Sequence, residues 1–347
     1  MTGKRQPGTV GRMGCATIRY RPGAASLTRT TIILLALTVG QAFAAETLRI
    51  GIQTTGTFAW QLDVIARHGL ATQAGLDLDI RQYASVDAGK LALNGGTVDV
   101  VVTDWLWVAR ERALGRKLKF YPYSTAIGAV MVKADSPLRD VSELKGRSLS
   151  VAGGALDKSW LIVRAAAQRR GVDLARDVTL MFGAPPLLFA KLRQGEADAG
   201  LNYWNFCARL EAQGYRRLYD VRAAEIELGL AQPIAMIGYT FSEAFVAAHP
   251  GVIDRFLVVA KQADRILRES DAEWEALRPL MSAENNAVFE SYRATVRGTI
   301  PRGDIESEAA DAQKLFGTLA SIGGSDLVGP SQQLDEGLYY RPAPSGN

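Results

Sequence analysis

The sequence predicts an α/β protein of two lobes, each a mostly parallel sheet flanked by helices. Short apolar strands alternate with helical stretches from Leu48 to Tyr239, a pattern that favours parallel sheets covered on both faces. The two halves of this region repeat one order of features. The chain has 347 residues, 48% of them hydrophobic, which is enough for two cores.

The predicted strands are short and well separated along the chain. They are Leu48–Gln53, Leu76–Tyr83, Val98–Thr103, Lys119–Tyr123, Ala129–Lys133, Ser148–Val151, Val178–Phe182, Ala199–Asn202 and Ile234–Tyr239. Helices are predicted between them, including Trp60–His68, Val86–Asn94, Ser159–Arg170 and Leu187–Gln194. From Ser242 onward the pattern is helical, with Ser242 as a candidate helix start. The tail YYRPAPSGN is rich in Pro and Gly, so we expect it to fray.

Two pairs of segments indicate an internal repeat. GTVDVVVTDW (Gly96–Trp105) and GEADAGLNYW (Gly195–Trp204) both place Asp three residues after Gly, and Trp six residues after that Asp. The stretches Leu48–Trp60 and Ser148–Trp160 each contain a strand, a polar loop with Gly, and a Trp at a helix start. We therefore expect two α/β lobes of similar plan, about a hundred residues apart.

Residues 1–44 are typical of a secretory signal peptide. They combine six basic residues and no acid with the apolar run TIILLALTV and the small-x-small site Ala42-Phe43-Ala44. The apolar run is shorter than the roughly 20 residues that a membrane span needs. Without this leader the net charge of +4 becomes −2. The basic character therefore belongs to the signal for export, and we expect no nucleic-acid partner. We expect a periplasmic protein that begins near Ala45.

Few residues are available for metal binding or nucleophilic chemistry. Cys15 leaves with the leader, so Cys207 is the one thiol of the expected mature chain, and His68 and His249 are its histidines. One Cys and two His provide few of the ligands that a structural metal site needs. No set of nucleophile, base and acid is apparent, so we predict no catalytic residues, metal or cofactor, and no enzyme activity.

Several stretches carry a resemblance to a known family. They are LRIGIQTTGTFAW, KLALNGGTVDVVVTDW, VKADSPLRDVSELKGRSLSVAGG, PPLLFAKLRQGEADAGLNYW, LEAQGYRRL and TFSEAFVAAHPGVIDRFL. With these stretches the chain resembles the periplasmic solute-binding proteins of ABC importers, specifically the nitrate/sulfonate/taurine (NitT/TauT-like) family. The resemblance covers residues 47–320. It implies a type II-like periplasmic binding protein fold, with a hinge of two crossing segments at Tyr121–Gly128 and near Leu218–Pro233.

The resemblance also implies a domain division and a function. Lobe 1 comprises residues 45–125 and 234–340, lobe 2 residues 126–233, and residues 341–347 form a flexible tail. The lobes would close over a small molecule and deliver it to a membrane permease and its ATPase, the binding protein itself being a monomer. Two alternatives remain: an enzyme similar to thiamine-pyrimidine synthases, against which the leader and the single Cys argue, and a periplasmic ligand-sensing accessory protein.

The candidate ligand-binding residues follow the carboxyl ends of the strands, where ligands bind in open α/β sheets. They are Gln53, Thr54, Thr55, Thr57, Trp60, Tyr83, Asp104, Trp105, Tyr123, Gly153, Gly154, Lys158, Trp160, Asn202, Tyr203 and Trp204. Sulfonate-binding members of the family often have small hydroxyl residues after the third strand, where this chain has Asp104, Trp105 and Trp107. The aromatic set favours a planar, aromatic or amine-bearing organic ligand over an inorganic anion.

Each candidate also has a purely structural interpretation. Any of the Trp rings could pack between a helix and its own sheet, although the matched placement of Trp105 and Trp204 favours both facing the cleft. The Gly- and Thr-containing loops could present helix N–H groups to an anion, or Thr57 and Asp157 could simply cap those helices. Asp104 could likewise meet an amine or cap the next helix. Lys158 could pair with an anion or be solvated.

Overall fold

The computed structural model describes residues 45–53 and 56–343; the predicted leader, Thr54 and Thr55 lie outside these ranges. The described chain has ten strands: β1 Glu46–Gln53, β2 Leu76–Tyr83, β3 Val100–Asp104, β4 Leu118–Ser124, β5 Ala129–Lys133, β6 Ser148–Ala152, β7 Thr179–Gly183, β8 Ala199–Asn202, β9 Tyr215–Asp220 and β10 Ile237–Ser242. Its helices are α1 Thr57–Arg67, α2 Leu70–Gln73, α3 Val86–Asn94, α4 Trp105–Ala113, α5 Lys158–Arg169, α6 Leu174–Asp177, α7 Pro185–Gln194, α8 Trp204–Glu211, α9 Val221–Glu227, α10 Glu243–Ala248, α11 Val252–Glu269, α12 Asp271–Met281, α13 Asn286–Thr299 and α14 Ile305–Val328.

The strands form two five-stranded sheets with the same plan. The first has the order β2-β1-β3-β10-β4 and the second the order β7-β6-β8-β5-β9. In each, three parallel strands are followed by one antiparallel strand and then by an edge strand. The predicted two-sheet α/β fold and internal repeat are confirmed, and each sheet is mixed.

In each sheet, the chain reaches the antiparallel strand by a segment that comes from the other sheet. The chain leaves β4 through residues 125–128 and continues as β5, and it leaves β9 through α9 and residues 228–236 to form β10. The sequence did not predict β9, and Leu218, expected in the hinge, lies inside it. The strand is polar (YRRLYD) because it lies at a sheet edge, where charged side chains are common.

The C-terminal helices tie the two sheets together. Helix α14 packs against α4, beside the first sheet, and against α5, beside the second. Ser242 caps α10 as expected, since its hydroxyl accepts a hydrogen bond from the Phe245 N–H at 3.0 Å. No helix in the described part of the chain is long and apolar enough to cross a membrane.

The beginning of the C-terminal tail is packed onto the first sheet. Tyr339 is buried and pairs with Phe120 of β4, and the Tyr340 hydroxyl donates to Asp254 at 2.8 Å. The expectation that the whole segment YYRPAPSGN frays is therefore wrong for Tyr339 and Tyr340, and also for Arg341, whose guanidinium pairs with Glu306 at 2.6 Å. Residues 344–347 of the predicted flexible tail lie outside the described residues. Two aromatic rings provide enough apolar surface to hold this segment despite the Pro and Gly that follow.

Buried carboxylates on α14 hold the second crossing. Asp311 accepts from the N–H of Ala231 at 2.8 Å, and Glu308 accepts from the N–H of Ala235. On α9, Glu225 is fully buried, and this burial raises its pKa well above the ordinary value for glutamate, despite the opposing charge of Arg222. The crossing thus contains a carboxyl group that favours the protonated form.

Substitution of Gly128, at the first crossing, should be strongly destabilising. A Cβ there would lie 1.8 Å from the carbonyl oxygen of Asn202, a backbone atom that cannot move independently of β8. We expect Gly128→Ala to lower the free energy of unfolding by at least about 2 kcal/mol in urea denaturation. The control Gly317→Ala, in α14 with open space around it, should be neutral or stabilising. Equal stability of the two variants would contradict the tight crossing.

Replacement of Glu225 should reveal its titration. Because its pKa is raised in the folded state, the folded protein retains a proton that the unfolded chain releases, so stability is lost as pH rises above the unfolded pKa of about 4.3. We expect Glu225→Gln to raise the melting temperature at pH 8 and to have little effect at pH 5. The exposed control Glu269→Gln should show no such difference. An equal effect of Glu225→Gln at both pH values would contradict this account.

Candidate functional site

A small pocket lies at the carboxyl ends of β1, β2 and β3. It has a volume of about 100 Å³ and includes four predicted site residues in its wall, namely Gln53, Thr57, Tyr83 and Tyr123. The Tyr123 hydroxyl donates to the Thr57 hydroxyl at 2.8 Å, and burial raises the pKa of Tyr123. We call this cavity the strand-end pocket. Its position is the one that the strand-end argument predicts.

A larger groove is lined by residues from both halves of the fold. Trp60 approaches from α1, beside the first sheet, Trp204 approaches from α8, beside the second, and Tyr292 approaches from α13, which packs against α8. The ring centroids of Trp60 and Trp204 are 6.4 Å apart, and those of Trp204 and Tyr292 are 5.5 Å apart. We call this space, of about 420 Å³, the aromatic groove. It shares Gln53 and Thr57 with the strand-end pocket, so the two spaces adjoin each other.

The positive charge in the aromatic groove is already neutralised. Arg209 lies in its wall, and its guanidinium is paired with Glu284 and stands 4.7 Å from the centroid of the Phe189 ring. The indole N–H of Trp60 donates to the Leu280 carbonyl at 3.3 Å. The aromatic surface of the groove is mainly that of the half-buried Trp204, since Trp60 and Tyr292 are only 6% and 7% exposed. Such surface suits planar or cationic ligand groups.

Asp104 and Lys158 line a separate charged cavity of about 260 Å³. Asp104 caps α4, because its Oδ1 accepts from the Trp107 N–H at 2.8 Å, and its Oδ2 lies 3.7 Å from the Lys90 ammonium. Asp157, across the cavity from Asp104, caps α5 through the N–H of Ser159 at 2.9 Å. In the loops after β3 and β6, Asp104 and Asp157 therefore act as helix caps, which is one of the two interpretations given above.

The predicted residues near β6 and β8 serve mainly to hold their own loops. The Tyr203 hydroxyl donates to Asp157 at 3.2 Å. Asn202 is buried and donates to the Pro185 carbonyl at 3.1 Å. Gly153 has a φ of +89°, and a Cβ there would lie 3.1 Å from both Asp157 and the Tyr203 hydroxyl. Gly154 is exposed. These positions are required by loop geometry.

Two of the predicted ligand-binding Trp residues lie wholly in the core, and Trp60 is also buried, at 6% exposure, although it borders the groove. Trp105 is completely buried, 6.4 Å from the ring of Phe316, and Trp160 is 2% exposed and packs edge-on against Phe182 at 5.9 Å. The prediction that Trp105 and Trp160 bind ligand is corrected accordingly. Trp204, the repeat counterpart of Trp105, lies half-buried in the groove.

The difference between Trp105 and Trp204 comes from what covers each ring. Both residues begin a helix directly after the third strand of their sheet. Helix α14 packs on α4 and provides Phe316 to cover Trp105. Helix α8 instead meets α13, whose Tyr292 leaves space beside Trp204. The local pattern is the same, and the neighbouring helix decides burial.

Some groove residues were missed by the sequence reasoning. Tyr292 lies on α13, outside the repeated motifs, so no local signal marks it. Arg209 follows Asn205 by four residues on α8, and such spacing places two side chains on one helix face. The predicted site reached Trp204 but not Asn205, so only its extension along α8 to the face of Asn205 would have found Arg209. Tyr292 could be found only from the packing of α13 on α8.

The described residues offer little for metal or thiolate chemistry. No group of three or more His, Cys, Asp or Glu side chains among them is arranged to hold a metal ion. Cys207 is fully buried, and that burial raises the pKa of its thiol to about 12. A thiol with this pKa is protonated at neutral pH and is a poor nucleophile.

The comparisons with known proteins agree with this architecture. The NMT1/THI5-like family model matches residues 64–271, more than half of the chain. A search of curated protein sequences gave no match. Among solved structures, the periplasmic aliphatic sulphonate-binding protein SsuA of Escherichia coli has a TM-score of 0.69 at 20% identity, over 87% of this chain and 94% of that one.

Two further structures share the fold. SsuA of Xanthomonas axonopodis pv. citri, an alkanesulfonate-binding protein bound to MOPS, has a TM-score of 0.63 at 20% identity, over 86% of this chain and 100% of that one. The desulfurization enzyme DSZB has a TM-score of 0.53 at 18% identity, over 80% of this chain and 92% of that one. Because one fold includes both binding proteins and an enzyme, function must be argued from the site.

Truncation of Trp105 should destabilise the folded protein. Removing a fully buried indole leaves a large cavity against Phe316, so we expect Trp105→Ala to lower the free energy of unfolding by about 3–5 kcal/mol. Trp204→Ala removes a half-buried ring and should cost clearly less. Urea denaturation of both variants measures the difference. If Trp105→Ala is as stable as the parent protein, the core assignment fails.

Proposed function

The chain belongs to the NMT1/THI5-like family, and from this premise we propose that it is the substrate-binding component of an ABC importer. It captures a small organic ligand between two lobes and delivers it to a membrane permease and its ATPase. The solved structures that support this proposal are described as a periplasmic aliphatic sulphonate-binding protein and an alkanesulfonate-binding protein. Two sheets joined by two short crossings provide the hinge that such capture needs.

The aromatic groove is the observation that carries the proposal. Trp60 lies on α1, which contacts β1 of the first sheet, whereas Trp204 lies on α8, which contacts β5 and β9 of the second; Tyr292, on α13, packs against α8. A ligand held among these rings contacts both halves at once, so its binding energy favours the arrangement in which they are close together. A ligand that binds one arrangement better shifts the population toward it. Capture and recognition by a permease follow from the same contacts.

The lining of the groove favours a particular class of ligand. Three aromatic rings and a neutralised Arg209 suit a planar, aromatic or amine-bearing organic molecule. The adjoining strand-end pocket ends at Gly56, which precedes α1 and has no side chain to cap it. The N–H groups and dipole of that helix favour an acidic group on the same ligand. We therefore propose an organic compound with a ring or ammonium group and an acidic group.

The proposal includes a domain division and a location. Lobe 1 comprises residues 45–125 and 234–340, and lobe 2 comprises residues 126–233, in keeping with the membership of the two sheets. Residues 1–44 are the signal peptide of a monomeric periplasmic protein. The periplasmic location of the SsuA relative from Escherichia coli supports this assignment.

A thermal-shift panel tests the ligand class. Aromatic acids, betaines, pyrimidines, MOPS, alkanesulfonates and nitrate are each added to the purified protein. Since a ligand that binds only the folded state raises its melting temperature, we expect shifts from compounds with a ring or an ammonium group. A shift from small inorganic anions alone would contradict the aromatic site. Recovery of the bound compound in altered form would contradict the proposal of binding without turnover.

A matched pair of variants locates the ligand. Trp204→Ala should weaken binding of the best compound about 10-fold, which corresponds to about 1.4 kcal/mol. Phe182→Ala removes an exposed aromatic ring outside the groove and serves as the control, which should bind normally. Isothermal titration calorimetry measures both affinities. Unchanged affinity in Trp204→Ala would place the ligand elsewhere.

A further inference from the structure

A second large cavity lies away from the aromatic groove, between α11, the end of β4 and the segment that leads into α14. Its volume is about 560 Å³. Cationic side chains from two separate parts of the chain converge on it. We call it the basic cavity and define it by Lys261, Arg265, Arg268, Arg302, Asp264 and Glu308.

The four cations of the basic cavity are not engaged with carboxylates of the described chain. Other arginines of the same region are paired: Arg297 lies 2.7 Å from Asp271, and Arg341 lies 2.6 Å from Glu306. Lys261 instead stands 5.5 Å from the centroid of the Tyr121 ring, which leaves its ammonium available. Four like charges around one space repel each other unless an anion lies between them.

The two acids of the cavity offset only part of this charge, and both make hydrogen bonds to other parts of the chain. Asp264 accepts from the amide of Gln61 at 2.7 Å, and Glu308 accepts from the N–H of Ala235. Burial raises the pKa of Asp264 to about 6 and that of Glu308 to about 7. Even with both ionised, four cations face two carboxylates, so the cavity keeps a positive net charge.

We propose that the basic cavity binds a polyvalent anion that carries two or more phosphate or sulfate groups. Guanidinium groups match the oxygens of phosphate and sulfate in two-point hydrogen bonds, which are among the strongest in proteins. Lys261, Arg265 and Arg268 share one helix, and Arg302 lies in the segment opposite. An anion with several groups reaches both sides, whereas a monovalent ion meets only some of the cations.

This site differs from the aromatic groove in every property that selects a ligand. The groove has three aromatic rings and a paired Arg209, whereas the basic cavity has four unpaired cations and one aromatic neighbour, Tyr121. The two spaces share no lining residue. Binding at one therefore involves a different compound from binding at the other. The same phosphate chemistry is available from a free anion or from an anionic lipid headgroup.

Titration calorimetry with sodium tripolyphosphate tests the proposal on the purified protein at low ionic strength. Vesicles of phosphatidylglycerol provide the lipid arm. The test variant is Arg265→Gln/Arg302→Gln, which removes one exposed cation from each side of the cavity. The control is Arg147→Gln/Arg193→Gln, which removes the same charge from exposed positions outside the cavity. Trp204→Ala shows whether the groove takes part.

We expect tripolyphosphate to bind with a stoichiometry of one and to lose at least about 10-fold in affinity in the test variant. The control and Trp204→Ala should change affinity by less than about 2-fold, the size of a remote, screened charge effect. Binding to vesicles alone, lost in the test variant, would support the site and assign it to lipid-borne phosphate. No binding to either probe, or equal losses in test and control variants, would overturn the proposal.

Discussion

Asp311 and Glu308, both buried on α14, accept hydrogen bonds from the backbone of the segment that returns the chain to the first sheet. The other crossing is held in a similar way, since the N–H of Thr125 donates to the carbonyl of Thr299 at 2.9 Å. Both connections between the sheets are therefore anchored to C-terminal helices. Because buried carboxylates need such donors, the helices and the crossings must form together.

This anchoring determines where ligands can bind. The crossings provide each sheet with its antiparallel strand, so the carboxyl ends of the parallel strands face the region between the halves. Helix α14 covers one side of that region and buries Trp105. On the other side, α8 and α13 meet with three aromatic rings and leave the groove. The C-terminal helices thus close the side with Trp105 and leave the groove on the side with Trp204.

The chemistry of the two large cavities follows from how their charges are paired. Arg209 in the aromatic groove has Glu284 as a partner, so the groove acts mainly through its rings. Arg265 and Arg302 in the basic cavity have no such partner in the described chain, so that space acts through charge. Contacts with the aromatic rings of the groove do not depend on salt, whereas the electrostatic attraction of the basic cavity weakens as ionic strength rises. The two cavities therefore suit two different classes of compound.

The sequence by itself determined the two α/β halves and their repeat, because alternation, turn residues and repeated motifs are local properties. It did not reveal β9, whose polar residues suit an edge strand, or the contribution of Tyr292, which lies far from the motifs. Only the tertiary structure decided that Trp105 is core whereas Trp204 lines the groove. Their local patterns match, and burial depends on which distant helix packs against each ring.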